Sequence, residues 1–250
     1  MWRNGRRNGL KIRFRSRGVR VRVPPSVNAA ASAERFPLSA PSIDLHSWSD
    51  VDACSLVSEN TKMDQKLLSI PVILGTTRQG RRSAHAAGFV LAQTQKRAGV
   101  EADLIDVRSL PLRLDDAGEQ IKIPAFSEAM RRSDALILVV PEYNHGYPGL
   151  LKHALDTNLE EYIHKAVGIC GVSAGPFGGT RVIEQLLPVM RELGLVTIFT
   201  DVNFSQVEKL FGENGELLDD SFFRRVDAFL DELIWMARVL RQGRENVARV

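Results

Sequence analysis

Arginines and hydroxyl residues are concentrated in residues 75–83, which read GTTRQGRRS and stand between an apolar run and a helical pattern. Glycine lets the backbone approach a ligand closely, a helix start offers N–H groups without partners, and arginine binds phosphate oxygens in pairs. The segment therefore predicts a phosphate-binding loop. Gly75 and Gly80 have the spacing of half a nucleotide-hydrolase motif, but the lysine is missing and Ser83 comes one position late. A solvated loop that only caps the helix is the plainer alternative.

A second unusual segment is residues 141–149, which read PEYNHGYPG. Two prolines and two glycines in nine residues predict a rigid loop. The loop would present Tyr143, Asn144, His145 and Tyr147 at the ligand end, with aromatic faces and an amide group that suit a flat heteroaromatic ligand. The alternative is a turn held by Asn144 with the tyrosines packed beneath it.

The third segment, residues 171–179, reads GVSAGPFGG and contains the G-x-S-x-G pattern of hydrolases. In that fold the catalytic histidine follows the serine, whereas all five histidines of this chain precede Ser173, which disfavours a hydrolase. The small residues instead predict backbone that passes close to a ligand. The histidines do not have metal-ligand spacing, and the acidic cluster of a phosphoryl-accepting receiver is absent where Thr76, Thr77 and Arg78 stand.

Apolar runs and amphipathic stretches alternate from Met63 onward, which predicts an α/β domain with a parallel sheet. The predicted strands are residues 70–74, 101–107, 135–140, 166–172 and 195–199. The predicted helices are residues 83–97, 126–132, 149–159, 179–193 and 220–240. Five strands with four crossovers predict a three-layer doubly wound fold, in which ligands bind beyond the carboxyl ends of the strands. The three segments above follow the first, third and fourth strands and should meet at that edge.

The last predicted helix carries an apolar stripe that we expect to pack into the core rather than bind a cofactor. Its members are Phe222, Phe223, Val226, Phe229, Leu230, Leu233, Ile234 and Ala237.

The composition is that of an ordinary globular protein, with 44% hydrophobic and 25% charged residues in a chain of 250. We find no apolar run long enough for a membrane helix and no secretory signal pattern at the start. Cys54 and Cys170 lie far apart without a Cys/His cluster, so neither a disulfide framework nor a zinc site is predicted. A cytoplasmic protein without a membrane partner is the expectation.

The net positive charge of the chain comes from its first residues. Residues 1–33 carry +9, and because the whole chain carries +3, the remainder carries −6. An acidic body disfavours a nucleic-acid partner for the folded part. Residues 1–62 lack periodicity and are predicted to be a disordered extension, ahead of a domain over residues 63–250. A transit segment, a basic arm for nucleic acid, and a mistaken start ahead of Met63 all remain open.

Taken together, the three segments resemble the NADPH-dependent FMN reductase family over nearly all of residues 66–240. GTTR followed by GR is similar to the family's Gly-Ser-x-Arg and Gly-Arg, and PEYN followed by PGLLKHALD is similar to its second motif. The third motif is matched by Ser173, Gly175, Gly178, Gly179 and Arg181, and FGENG at 211–215 resembles an acidic turn of the family. Thr76, His153 and Gly212 depart from the usual serine, asparagine and acid, although Thr76 keeps the hydroxyl.

The resemblance implies a flavodoxin-like fold with five parallel strands in the order 2-1-3-4-5 and a bound FMN. In the family's pattern, Thr76, Arg78 and Ser83 hold the FMN phosphate with Arg81 nearby. Pro141, Glu142, Tyr143 and Asn144 line the edge of the flavin ring, and Ser173, Gly175 and Gly178 flank its other side. NADPH or NADH supplies hydride to the flavin, no side chain acts as a catalytic acid or base, and a quinone, azo, nitro, metal or flavin acceptor takes the electrons.

The resemblance also implies a homodimer or homotetramer, with the regions of Glu213 and Tyr147 as candidate contacts. Two other functions stay open at this point: a flavodoxin-type electron carrier that does not use NAD(P)H, and a binding module that has lost the flavin. The choice between NADPH and NADH is also open, with Arg81 or Arg82 as candidates to meet the 2′-phosphate.

Overall fold

Short runs of aliphatic residues form the strands of a parallel sheet in the computed structural model, which describes residues 66–115 and 121–247. The predicted extension and the boundary at Met63 lie outside these residues. The strands are β1 Leu68–Ser69, β2 Val72–Leu74, β3 Val100–Glu101, β4 Leu104–Asp106, β5 Ala135–Pro141, β6 Lys165–Val172, β7 Leu195–Thr197 and β8 Val202–Phe204. The helices are α1 Ser83–Gln95, α2 Pro124–Arg132, α3 Gly149–Asp156, α4 Thr180–Glu192, α5 Val207–Leu210 and α6 Ser221–Asn246, with a 3₁₀ turn at Val107–Ser109.

The sheet has the predicted order. Strands run β4-β2-β5-β6-β7, all parallel, and β8 pairs with the second half of β6. The first predicted strand, residues 70–74, contains β2 and follows β1, which was not predicted, while the second, residues 101–107, contains β4 and the end of β3. Pro71 interrupts the first of these because it has no N–H, yet the ladder continues: Ile70 donates to Glu101 and Val72 to Asp103, each over 2.9 Å. The order 2-1-3-4-5 and the flavodoxin-like fold are thereby confirmed.

The fifth predicted strand, residues 195–199, is divided in the structure. β7 pairs with the start of β6, and Ile198 still donates to the Val167 carbonyl over 3.0 Å. The chain then leaves the sheet over residues 199–201, and β8 pairs with the end of β6. The prediction missed β8 and α5 because segments of three and four residues are too short to show a period.

Helices cover both faces of the sheet. Val72, Leu74, Ile137 and Val139 face a core formed with α1 and α6, whereas the residues between them face α2, α3 and α4. Every residue of β5 and β6 is buried. Among the described helices, none is both long and apolar enough to span a bilayer.

The stripe predicted on the last helix is buried except at Phe223, which is 39% exposed. Phe222 and Phe223 are about 100° apart on the helix, so only Phe222 points fully into the core. Phe223 instead packs edge-on against Phe89 on the outside, with ring centroids 5.1 Å apart. The helix also continues to Asn246, and its buried Arg241 was not predicted.

Arg241 belongs to a buried ionic cluster at the amino end of the sheet, which we call the anchor cluster: Asp134, Arg241 and Arg244. Arg241 donates to both carboxylate oxygens of Asp134, and also to the carbonyls of Lys66 and Leu67 over 2.9 and 2.7 Å. Arg244 donates to Asp134 over 2.9 Å. The cluster thereby joins the end of α6, the start of β5 and the entry of the chain into the sheet.

Candidate functional site

Three loops at the carboxyl edge of the sheet form the candidate site. The first loop (75–82) follows β2, the second (142–148) follows β5 and the third (173–179) follows β6, and these three strands are neighbours. The hydroxyls of Thr76 and Tyr143 lie 3.0 Å apart and join the first loop to the second. The amide of Glu142 donates to the carbonyl of Val172 over 2.8 Å, at the base of the third loop. The fold thus brings the three predicted segments together.

The first loop is held from inside by Arg81. Its guanidinium donates to the carbonyl of Thr76 and forms an ion pair with Asp106 at the end of β4. Thr76 is 1% exposed, and its hydroxyl accepts from the Arg78 amide over 3.3 Å. Sequence reasoning missed Asp106, although an acid that ends the strand beside a basic loop is a usable signal. Arg81 therefore positions this loop.

A cradle of unpaired donors lies where the first loop enters α1. Ser83, the first residue of α1, is 2% exposed and its buried Oγ has no hydrogen-bond partner. Within the described chain, the backbone N–H groups of residues 79–83 also donate to no other residue. Buried polar groups normally have partners, and the N-terminus of a helix favours an anion. These donors fit a phosphate group such as the one FMN carries.

An open cleft of about 520 Å³ extends outward from this cradle. Its charged lining comes from Arg78, Arg81, Arg82 and Arg108, with His85 at one side. The Arg78 guanidinium also lies over the Tyr143 ring, 5.6 Å from its centroid. The cleft is therefore strongly positive, and Arg78 links it to Tyr143 of the second loop.

The second loop is a tight turn of fixed shape. Asn144 and His145 both have left-handed backbone angles, with φ of 51° and 67°, and Tyr143 and Gly146 exchange backbone hydrogen bonds of 2.9 and 3.0 Å. This is the geometry of a two-residue hairpin turn. Gln185 on α4 fixes the turn by donating to the His145 carbonyl over 2.6 Å. The predicted Asn144 is consequently held exposed at the tip.

Glu142 connects the second loop to α4. Its side chain is 8% exposed, and one oxygen accepts from Arg181 over 3.1 Å while the other is buried without a partner. Pro141 ends β5 opposite Val172. Arg181, which matched the family motif but was absent from the predicted site residues, therefore links the second loop to the helix that follows the third.

The third loop needs glycine because backbones meet there. Gly178 and Gly179 have φ of 59° and 81°, and a Cβ on Gly178 would lie 2.7 Å from the Cβ of Asn203 on β8. Gly175 faces open space, and the Ser173 hydroxyl donates to the Gly175 carbonyl over 2.9 Å. The loop also exposes 59% of Phe177, with the Arg181 guanidinium 4.7 Å from its ring centroid. The third loop thus carries an exposed aromatic side chain, and Arg181 connects it to Glu142 of the second loop.

Two titratable groups near the third loop have raised pKa values: Cys170 on β6 and Asp201, just before β8. Burial raises the pKa of the Cys170 thiol, so this cysteine is a neutral core residue. Partial burial, and next the charge of Glu184, raises the pKa of Asp201 just before β8 to about 6.

Comparisons with known proteins agree with this geometry. The family model for NADPH-dependent FMN reductases matches residues 68–209. An NAD(P)H-dependent FMN reductase of Pseudomonas aeruginosa is 30% identical over 150 residues, which is 56% of this chain and 81% of the relative. An FMN-dependent NADPH-azoreductase of Staphylococcus haemolyticus is 29% identical over 174 residues, or 65% of this chain and 92% of the relative.

The solved structure of FerB, a flavoenzyme NAD(P)H:(acceptor) oxidoreductase from Paracoccus denitrificans, superposes with a TM-score of 0.57. It is 23% identical and covers 68% of this chain and 99% of its own, which supports the shared fold. The family model spans more than half of the chain and includes all three loops. The chain therefore belongs to the NADPH-dependent FMN reductase family, and it is an oxidoreductase whose cofactors are FMN and NAD(P)H.

Proposed function

We propose that the protein takes hydride from NAD(P)H onto FMN and delivers the electrons to a small acceptor with a quinone, azo, nitro, metal or flavin centre. The observation that carries the proposal is the donor cradle: the buried, unpartnered Ser83 hydroxyl together with the free amides of residues 79–83. Their lack of partners within the described chain is what a permanently bound phosphate group would correct.

In this proposal the first loop binds the phosphate. Ser83 donates its hydroxyl, the amides of 79–83 surround the oxygens, and Thr76 adds a second hydroxyl. Arg78 adds positive charge from the surface. Arg81 fixes the loop through its bonds to the Thr76 carbonyl and to Asp106. Charge-assisted bonds to a dianion are strong because several donors act on one group.

The second and third loops would bound the flavin ring. Pro141, Glu142, Tyr143 and Asn144 would line one edge, and Ser173, Gly175 and Gly178 the other side. The turn at Asn144 and His145 is already fixed, so little ordering is needed when a ligand enters.

When bound, FMN supplies the redox chemistry by accepting hydride from NAD(P)H and releasing electrons to the acceptor. The chain's own part is to orient the flavin ring and to shield it. Glu142 and Arg181 hold the second loop against α4, and the glycines of the third loop leave room for a flat ring. The proposal requires no side chain as a general acid or base.

The proposal includes a homodimer or homotetramer in the cytoplasm, with contacts near Tyr147 and Glu213. Two exposed apolar side chains are available for such contacts: Phe177 in the third loop and Leu218 after the 211–215 turn. Light scattering behind size-exclusion chromatography tests the oligomer: a mass of 27.8 kDa would reject it. We also propose that residues 63–250 form the flavin-binding domain, which a chain beginning at Met63 should show by binding FMN like the full chain.

The central test is the absorbance of the protein with FMN before and after anaerobic addition of NADPH. Flavin bands should appear in the bound fraction and bleach with NADPH. Bands that persist would instead indicate an electron carrier, and a protein that takes up no FMN would reject the proposal.

Ser83→Ala tests whether the cradle binds the FMN phosphate, and Ser127→Ala is its matched control. Both serines have a buried hydroxyl without a partner, but Ser127 lies on α2. Ser83→Ala should weaken FMN binding about tenfold, because a charge-assisted bond to phosphate is lost. Ser127→Ala should leave it unchanged. Equal FMN affinity in the two variants would contradict the cradle.

A further inference from the structure

The cleft beside the cradle contains more positive charge than one phosphate group needs. Four arginines line it, and two of them already have partners: Arg81 pairs with Asp106, and Arg78 lies over the Tyr143 ring. The other two are Arg82 and Arg108. Within the described residues, neither guanidinium has a hydrogen bond or an ion pair.

Among the described residues, Asp106 is the carboxylate that pairs with an arginine of this cleft, and it does not neutralise Arg82 or Arg108. One oxygen of Asp106 accepts from Arg81 and the other accepts from the backbone N–H of Arg108 over 2.9 Å. Both oxygens are therefore engaged. Arg82 precedes α1 and Arg108 lies in the 3₁₀ turn after β4, so two separate elements direct free guanidinium groups to one cleft.

Arg108 lies apart from the cradle, whereas Arg82 contributes its backbone amide to the cradle and its side chain to the cleft. The cradle lies after β2, and the second and third loops lie on its β5 and β6 side. Arg108 follows β4, on the opposite side of β2. An anion bound there would lie next to the FMN phosphate but away from the ring, so the site suits a second phosphate group.

We propose that Arg82 and Arg108 form a second anion site that binds the 2′-phosphate of NADPH and thereby favours NADPH over NADH. This inference rests on the proposed function, because it assumes that the dinucleotide lies against a flavin in the same cleft. Guanidinium groups bind phosphate monoesters in a bidentate manner, which a single lysine cannot reproduce. The 2′-phosphate is the group by which the two dinucleotides differ.

The test uses adenosine phosphates, which lack the nicotinamide and cannot react. Full-length protein saturated with FMN is titrated by calorimetry with 2′,5′-ADP and with ADP, which carry two phosphates each in different positions. The wild type should bind 2′,5′-ADP at least about tenfold more tightly, and Arg82→Ala/Arg108→Ala should remove that preference. Arg224→Ala/Arg238→Ala is the control, since it removes the same charge from exposed positions on α6.

Three results would overturn the inference. Equal binding of both nucleotides by the wild type would mean that the cleft does not recognise a 2′-phosphate. An unchanged preference in Arg82→Ala/Arg108→Ala would place the recognition elsewhere. A loss of FMN affinity in that variant, with nucleotide binding intact, would assign both arginines to the FMN phosphate.

The proposed function fails separately from this inference. If the wild type takes up no FMN, the function is rejected whatever the nucleotides do. If FMN binds and bleaches with NADPH while the nucleotide preference is absent, only the second anion site is rejected.

Discussion

Gly171→Ala should damage the candidate site from beneath. A Cβ at Gly171 would lie 2.6 Å from the carbonyl oxygen of Gly178 and 2.9 Å from that of Gly179. Both oxygens are backbone atoms of the third loop or its end. Because neither can rotate away as a side chain does, the loop itself has to move outward to accept the methyl group.

Gly168→Ala is the matched control on the same strand. Its Cβ would lie 2.3 Å from the end of the Phe229 ring, a side chain of α6 rather than part of the site. Inserting one carbon into a packed interior typically costs about 1–3 kcal/mol. Both variants should therefore lose about 1–3 kcal/mol of free energy of unfolding, because each adds one methyl group to a packed position.

The difference should appear in FMN binding. Quenching of FMN fluorescence on titration with protein gives Kd, and urea denaturation without FMN gives the free energy of unfolding. We expect Gly171→Ala to raise Kd at least about tenfold, equivalent to about 1.4 kcal/mol, and Gly168→Ala to change it less than about twofold. An unaltered Kd in Gly171→Ala, or an equal loss in Gly168→Ala, would refute the argument that the third loop touches the flavin.

Other variants test the remaining features. Tyr143→Phe removes the 3.0 Å contact with the Thr76 hydroxyl and should raise Kd for FMN about three- to tenfold by the same titration, since one neutral hydrogen bond is lost. Arg241→Ala leaves the Asp134 carboxylate buried with fewer partners and should lower the free energy of unfolding by about 3 kcal/mol, whereas Arg224→Ala on the exposed side should change it little. Asp201→Asn should raise the free energy of unfolding at pH 8 but not at pH 4. The folded pKa of about 6 lies above the ordinary 3.8, so the wild type loses stability as pH rises through that window. Because Asp201 is partly exposed, the variant's gain in free energy of unfolding at pH 8 is about 1 kcal/mol. Urea denaturation at both pH values measures this gain, and an equal gain at pH 4 and pH 8 would contradict the prediction.

The sheet could be predicted because its signal is repeated along the chain. β5 and β6 are seven and eight buried residues, long enough for an apolar run to be recognised. β8 and α5 were missed because segments of three and four residues are too short to show a period, and β8 is defined only by its pairing with the end of β6. Phe223 was assigned to the core because a stripe drawn on a helix does not show where its buried face stops.

The loops of the site could be located from their residue types, but their internal bonds could not. The pairs Arg81–Asp106 and Glu142–Arg181 join residues 25 and 39 positions apart, and only the strand register brings them together. The burial of Arg241 could not be predicted for the same reason. An arginine near the end of a helix is expected to be solvated, and only the fold places Asp134, at the start of β5, beside it. Side-chain pairs of this kind require the tertiary fold.

The anchor cluster has a consequence for engineering. It holds β5, α6 and the chain entry at the amino ends of the strands, whereas the three loops project from the carboxyl ends. Distant substitutions with no shared partners usually have additive effects. A library of second- and third-loop variants can therefore be screened for new acceptors in a background whose thermal tolerance is tuned separately at Asp134, Arg241 and Arg244.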